Sequence, residues 1–416
     1  MNYRYALIFF LLFSGFSFAQ TVTSIQFDGL THTKEDYLRR IIYTKEGDIF
    51  DSLLIDKDVL MLKNLNLFFD VTADCKTSID SNMNVTFYLK EAHYFYPIFS
   101  VSGFKGQVKL NVGFNHINFL GRAQNLGVMY QYYERHSFSI FHSQKRHSNR
   151  KTGHEASISK YSTVEPLYQD DTVSRFNFDN YSVSIGGFYW LGQFLRVGVG
   201  TQAMYEEYEQ LDTAFHLPKN NFYFRKYQLR TSLEYNDVQY SYEFQQGYFA
   251  KLYGEYIGTE NYPDASFFKL TAQLSSYHRL GERGNLALNT RFGIATNNES
   301  PFSPFVIDGL INVRGAGNRV ERGSAEWVVN AEYRHTVWVN QFFSLQPAIF
   351  VDFATLREAG KSFSTFFNGK NQYVYTGAGI RINLRKWYHT SLRLDYSVNV
   401  TNTASHGFTF GVGQFF

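Results

Sequence analysis

The chain has 416 residues, a formal net charge of +3 and one cysteine, Cys75. So small a charge gives no reason to expect a nucleic-acid partner, and a single cysteine excludes an intrachain disulfide. Mean hydropathy is −0.30, yet 42 Phe and 31 Tyr bring aromatic residues to 19%, and only seven prolines interrupt the chain. Such usage suits sheets and the aromatic girdles of membrane barrels, whose alternating strands average out to mild hydropathy.

Residues 1–19, "MNYRYALIFFLLFSGFSFA", carry one early cation, Arg4, an apolar run from Ala6 to Leu12, and a small-x-small end at Ser17-Phe18-Ala19. This is the pattern of a secretory signal peptide, and the run is too short to span a bilayer as a helix. Residues 20–92 mix two periods. "VTSIQFDGL" reads as a strand ending at Gly29, and "THTKEDYLRRIIY" as a helix with Thr33 at its N-cap and Glu35 and Asp36 in its first turn. "DSLLIDKDVLMLKNLNLF" reads as a second helix with Ile55, Val59 and Leu62 on one side. "FFDVTADC" and "NVTFYLKEA" close a β-α-α-β-β unit, with Val85, Phe87 and Leu89 on one face of the last strand.

From Tyr94 onward the period is two. In "SLRLDYSVNV", Leu392, Leu394, Tyr396, Val398 and Val400 alternate with Ser391, Arg393, Asp395, Ser397 and Asn399. Sixteen such strands fit residues 93–416. Short turns such as "LGQ" after Trp190 and "GER" before Gly284 lie at one end. Long connections lie at the other: residues 162–180, 210–222, about 297–325, and 357–371. That asymmetry predicts a 16-stranded antiparallel transmembrane β-barrel with its apolar face toward lipid and its polar face toward the lumen.

Several short motifs then carry a family resemblance. "IQFDGL", "EGDIFD", "NLNLFFDV" and "VTFYLKEA" resemble one POTRA domain, expected at 20–92. "HINFLGRAQNLGV", "VRGAGN", "NAEYR" and "IFVDFATL" resemble, in order, turn, loop and strand motifs of the BamA/Sam-type outer-membrane barrels, the bacterial surface antigen family. "FTFGVGQFF" resembles the C-terminal β-signal read by barrel-assembly machinery. Phe408, Phe410, Gly411, Gly413 and Phe416 are its candidate signal and seam residues, on a last strand expected over 406–416. Two departures stand out: Ala316 where the family prefers Phe or Tyr, and Phe353-Ala354 where Ala/Met-Gly is usual.

The resemblance implies an outer-membrane location in a Gram-negative bacterium, a periplasmic POTRA domain, and a loop, about 297–325, folded back into the lumen. Its arginine, Arg314, would then meet acidic wall residues. Strand parity offers independent candidates: Glu332 shares a face with Asn330, Arg334 and Thr336, and Asp352 with Ser344 and Gln346. Gly315 and Gly317 would let the backbone turn tightly at the tip.

No His-Glu-x-x-His, cysteine cluster or phosphate loop is present, and the twelve histidines show no ligand spacing. No enzyme, catalytic residue, metal or cofactor is expected. The resemblance implies insertion of unfolded outer-membrane protein clients, with lipid and accessory periplasmic proteins or lipoproteins as partners. A two-partner-secretion-like translocation pore and a passive channel are the alternatives.

Overall fold

A computed structural model describes residues 20–78, 80, 82–102, 108–147, 150–169, 172–212, 221–297, 303–317, 321–385, 390–400 and 405–416. The expected signal peptide, residues 1–19, lies outside them. The chain forms two compact units that divide after Glu91.

In the first unit, β1 (Val22–Asp28), α1 (Glu35–Ile41), α2 (Ser52–Lys63), β2 (Phe68–Thr77) and β3 (Met83–Glu91) follow the β-α-α-β-β order. The sheet order is β1-β3-β2, with β3 parallel to β1 and antiparallel to β2. Alternation along β3 buries Val85, Phe87 and Leu89, and the helices bury Tyr37, Leu38, Ile41, Met61 and Leu62. Two local expectations change. Lys34, not Thr33, holds the α1 N-cap position, with no side-chain cap bond, and the Thr33 N–H donates to Glu91 at 2.9 Å. On α2 the inward stripe is Ile55–Asp58–Leu62 instead of Ile55–Val59–Leu62. The Asp58 carboxylate is buried there because it accepts the backbone N–H groups of Tyr43 and Thr44, which would otherwise be orphaned. Burial pushes the Asp58 carboxyl above its ordinary range.

The second unit is a closed antiparallel barrel of sixteen strands among the described residues, from Phe95–Ser102 to His406–Val412. Two strands continue briefly past a break, at Gln239–Ser241 and Trp338–Val339. Outward positions are apolar and open, such as Ile185, Val199 and Leu229. Inward positions are polar and buried, such as Asn330, Gln346 and Asn383. One stretch of lumen wall is a ladder of cross-strand ion pairs, including Arg196–Glu234 at 2.8 Å, Lys226–Glu206 at 2.6 Å, Lys269–Glu255 at 3.1 Å and Arg291–Glu326 at 2.8 Å.

The 162–180 segment is not a loop. The fifth and sixth strands, Thr152–Gln169 and Thr172–Leu191, stay in register through it to Gln169–Thr172. The fourth strand, Arg135–Gln144, pairs with the fifth only as far as Phe138–Lys160. The extension is held instead by aromatic packing on one face, where Phe176 and Phe178 meet Tyr208, Phe222 and Phe224. Pro166 is tolerated in this stretch, which has an edge beyond the fourth strand. The last strand also ends early. Gly413 adopts φ +95 and turns the chain out of it, so Gly413 and Phe416 lie beyond the strand.

Candidate functional site

The long connection between the eleventh strand, Gly284–Ala295, and the twelfth, Ala325–His335, folds inward. Its base is a two-stranded ribbon, Phe305–Ile307 against Glu321–Gly323. Its apolar underside, Phe305, Ile307, Val313 and Ala316, packs on Val328, Ala354, Leu356 and Tyr375. Ala316, smaller than the aromatic expected there, is buried within this cluster. Local hydrogen bonds shape the tip. Asp308 accepts from the Leu310 N–H at 2.9 Å, Asn312 Nδ2 donates to the Val306 carbonyl at 2.7 Å, and the Gly309 N–H donates to the Gly317 carbonyl at 2.6 Å. Lys109 of the second strand, Lys109–Phe119, ties this tip to the wall through Asp308 at 3.2 Å.

Arg314 is fully buried. Its Nε and Nη2 donate to the two oxygens of Asp352, each at 2.9 Å, in the bidentate geometry a planar guanidinium favours. Its backbone N–H reaches the same carboxylate at 3.0 Å, and its Nη1 donates to Glu332. Glu332 and Asp352, which parity points inward, are therefore both its partners.

The structure adds residues that spacing alone did not single out. Glu332 also accepts from Arg334, and from Arg381 at 2.9 Å. Arg381 donates to Asp395 at 2.6 Å, and Arg393 approaches the same carboxylate at 3.3 Å. Asn330 donates to Asp352 at 2.9 Å. Four arginines thus face three carboxylates. The excess positive charge meets ring faces: Arg314 Cζ lies 3.5 Å from the centroid of Phe350 and 4.5 Å from that of Phe415, and Arg393 lies 4.9 Å from Phe415. Parity does place Arg334, Arg381, Arg393 and Asp395 on inward faces. Which of them share a height depends on register around the barrel.

The latch bears on the last two strands. Ser397 Oγ donates to the Arg314 carbonyl at 2.5 Å. Gly315 adopts φ +78, and a Cβ there would lie 2.1 Å from Ser397 Oγ and 3.3 Å from the Gly407 backbone. Gly315→Ala therefore combines left-handed strain of about 1–2 kcal/mol with a clash on one side of the tip. The variant is expected to form the barrel but to expose residues 308–317 to limited proteolysis. A tip as resistant as wild type would refute this close packing.

The last strand is held unequally. Its ladder with the fifteenth strand, Ser391–Asn399, runs from Leu392–Val412 to Val398–His406. Among the described residues, which break off after Ser102, its ladder with the first strand comprises Thr409–Ser102, Phe410–Val101 and Gly411–Ser100. The first strand by contrast pairs with the second from Phe95–His116 to Ser102–Lys109. Phe410 packs edge-on against Phe99 across this seam, at 5.6 Å between centroids, and Phe408 faces outward. Gly411 takes part in the ladder, while Gly413 and Phe416 do not.

Among the described residues no group of His, Cys, Asp and Glu is arranged to hold a metal. His142, His147 and His154 are nevertheless chained by ring-nitrogen contacts of 2.7 and 3.1 Å, a grouping their spacing did not reveal.

Comparison with known proteins fits this geometry. The Omp85 superfamily domain matches residues 118–416, and POTRA, the surface antigen variable number repeat, matches residues 20–92. A search of the curated proteins gives no match. Similar solved structures include BamA from Haemophilus ducreyi lacking POTRA domains 1–3, at 15% identity and a TM-score of 0.58, covering 94% of this chain and 84% of that one. CdiB from Acinetobacter baumannii is 13% identical with a TM-score of 0.62, covering 95% and 74%. CdiB from Escherichia coli is 10% identical with a TM-score of 0.65, covering 95% and 76%. At these identities the likeness is one of fold.

Proposed function

The chain belongs to the Omp85 superfamily, and from that premise we propose that it inserts, or helps to insert, β-barrel proteins into the outer membrane. The observation that carries this reading is the seam. Among the described residues the first and last strands share three residue pairs, whereas the last strand is bonded along its length to the fifteenth, and this makes the seam the line along which the barrel would open at low cost. Opening exposes strand edges, and an unpaired edge is a template for a client strand. The second edge is in the N-terminal unit, where β2 is one of the two outer strands of the β1-β3-β2 sheet, the other, β1, being bonded on its outer side to Gly47 and Asp48. With this unit in the periplasm, β2 would receive an extended client segment by β-augmentation. Folding of the client and burial of its apolar face in lipid supply the free energy, so no nucleotide is required.

Fold likeness to the two CdiB structures favours a second reading, a pore that passes a protein through the lumen. It requires the 303–317 loop to leave its buried position, against the ion pairs of Arg314. Depleting the protein in cells separates the readings. Insertion predicts loss of many outer-membrane proteins together. Loss of one secreted protein would overturn it in favour of the pore, and a change in permeability alone would overturn it in favour of a channel.

A further inference from the structure

The outer face of the barrel carries a hollow of about 830 Å³ across the fifth to eighth strands. Ile158, Val183 and Ala203 form its apolar floor, and the small Ala203 is what leaves it concave. Tyr181, Tyr205 and Tyr227 stand around it, 43%, 37% and 45% exposed. Tyr227 is drawn aside over the neighbouring strand, where Gly258 leaves room: a Cβ at Gly258 would sit 2.2 Å from the Tyr227 ring.

Depth follows from alternation along each strand. Outward positions toward the short-turn end are apolar: Val197 and Val199 before Ala203, Ile185 beyond Val183, and Leu229 and Leu233 beyond Tyr227. One outward step past the tyrosines toward the long-loop end, the residues become Asp179, Glu207 and Arg225. The three tyrosines therefore mark the upper interface of the apolar band, where aromatic girdles sit.

Two cations border the hollow at that level, Lys160 and Arg225. Lys160 lies over the Tyr181 ring at 5.5 Å. Among the described residues neither side chain makes an ion pair, although the lumenal cations Arg196, Lys226, Lys269 and Arg291 all do. Asp179 is engaged by Arg135 at 2.5 Å and Glu207 by the Tyr205 hydroxyl, which leaves Glu260 as the acid lining the hollow.

We propose that this hollow binds an anionic phosphate-bearing membrane lipid, with its phosphate between Lys160 and Arg225 and an acyl chain over Ile158, Val183 and Ala203. Charge complementarity at headgroup depth and an apolar floor below it fit both parts of one amphiphile. The inference rests on the outer-membrane barrel placement and is independent of whether the protein inserts clients.

The test uses the full-length protein in phosphatidylcholine nanodiscs with added phosphatidylglycerol, and counts retained lipid by native mass spectrometry. Lys160→Gln with Arg225→Gln is expected to lower phosphatidylglycerol retention at least ~ten-fold, the loss of two charge-assisted phosphate contacts. Ala203→Trp, or Ala203→Leu where the tryptophan prevents folding, is expected to lower it with both cations in place. Inorganic phosphate at equal concentration is expected not to displace the lipid. Undiminished retention by the charge variant, equal retention of phosphatidylcholine by wild type, or displacement by inorganic phosphate would each overturn the proposal. None of these outcomes depends on client insertion.

Discussion

Arg314→Ala is expected to deplete the heat-resistant, fast-migrating folded barrel on semi-native gels and to reduce activity with it. The reason lies in how charge is distributed in the cluster. Without Arg314, Glu332 still has Arg334 and Arg381, and Asp395 still has Arg381 and Arg393. Asp352 alone loses its cation and keeps only the Asn330 amide and the residue-314 N–H. Leaving a buried carboxylate in that state costs about 3–5 kcal/mol, less where water enters the lumen. That is a large share of the roughly 5–15 kcal/mol that holds a typical folded protein. Arg314→Lys should fall between, because a compact ammonium cannot span Asp352 and Glu332 as the planar fork does. Combining Arg314→Ala with Asp352→Ala should recover part of the loss, since the stranded charge goes with its partner. If Arg314→Ala assembles and functions like wild type, the latch has no energetic role.

Much of this site could be read from period two. Alternation alone directs Glu332 and Asp352 inward, and the structure brings both to Arg314. The rest of the cluster was less legible because lateral neighbours in a barrel follow from strand register. Gly379 lies opposite Asp395, and a Cβ at Gly379 would fall 2.0 Å from the Asp395 carboxylate, so a small residue on one strand makes room for a charge on the next. Phe415 was hidden for another reason. Alternation alone extends the last strand to Phe416, whereas the turn at Gly413 carries the Phe415 ring to the guanidinium groups of Arg314 and Arg393.

The fifth and sixth strands illustrate a competing signal. Pro166 and the Asp and Asn residues of 162–180 have loop character, but the alternating Phe176 and Phe178 find aromatic partners on strands that arrive later in the chain. Tertiary packing overrides local preference there. In the N-terminal unit, the buried Asp58 breaks an otherwise apolar stripe because two backbone donors need it. Neither requirement is visible within the helix or strand concerned.

Opening of the seam is the step on which the proposed insertion depends. Locking it shut is therefore expected to abolish insertion while leaving the barrel folded. Ser100 and Gly411 are opposed across the seam, and a Cβ at Gly411 would lie 3.6 Å from the Ser100 Cβ. Cβ separations of roughly 3.5–4.5 Å suit a disulfide. The Arg393 guanidinium tip, 3.2 Å from the same point, is the flexible end of its side chain and can yield.

The decisive measurement is insertion of an unfolded β-barrel client into liposomes by the Ser100→Cys, Gly411→Cys protein in a Cys75→Ser background, oxidised and then reduced. A seam that must open predicts insertion below about a tenth of the reduced rate when oxidised, roughly a 1.4 kcal/mol rise in barrier, with recovery on adding a reductant. Equal insertion by the fully cross-linked and the reduced protein would contradict seam opening as the insertion step.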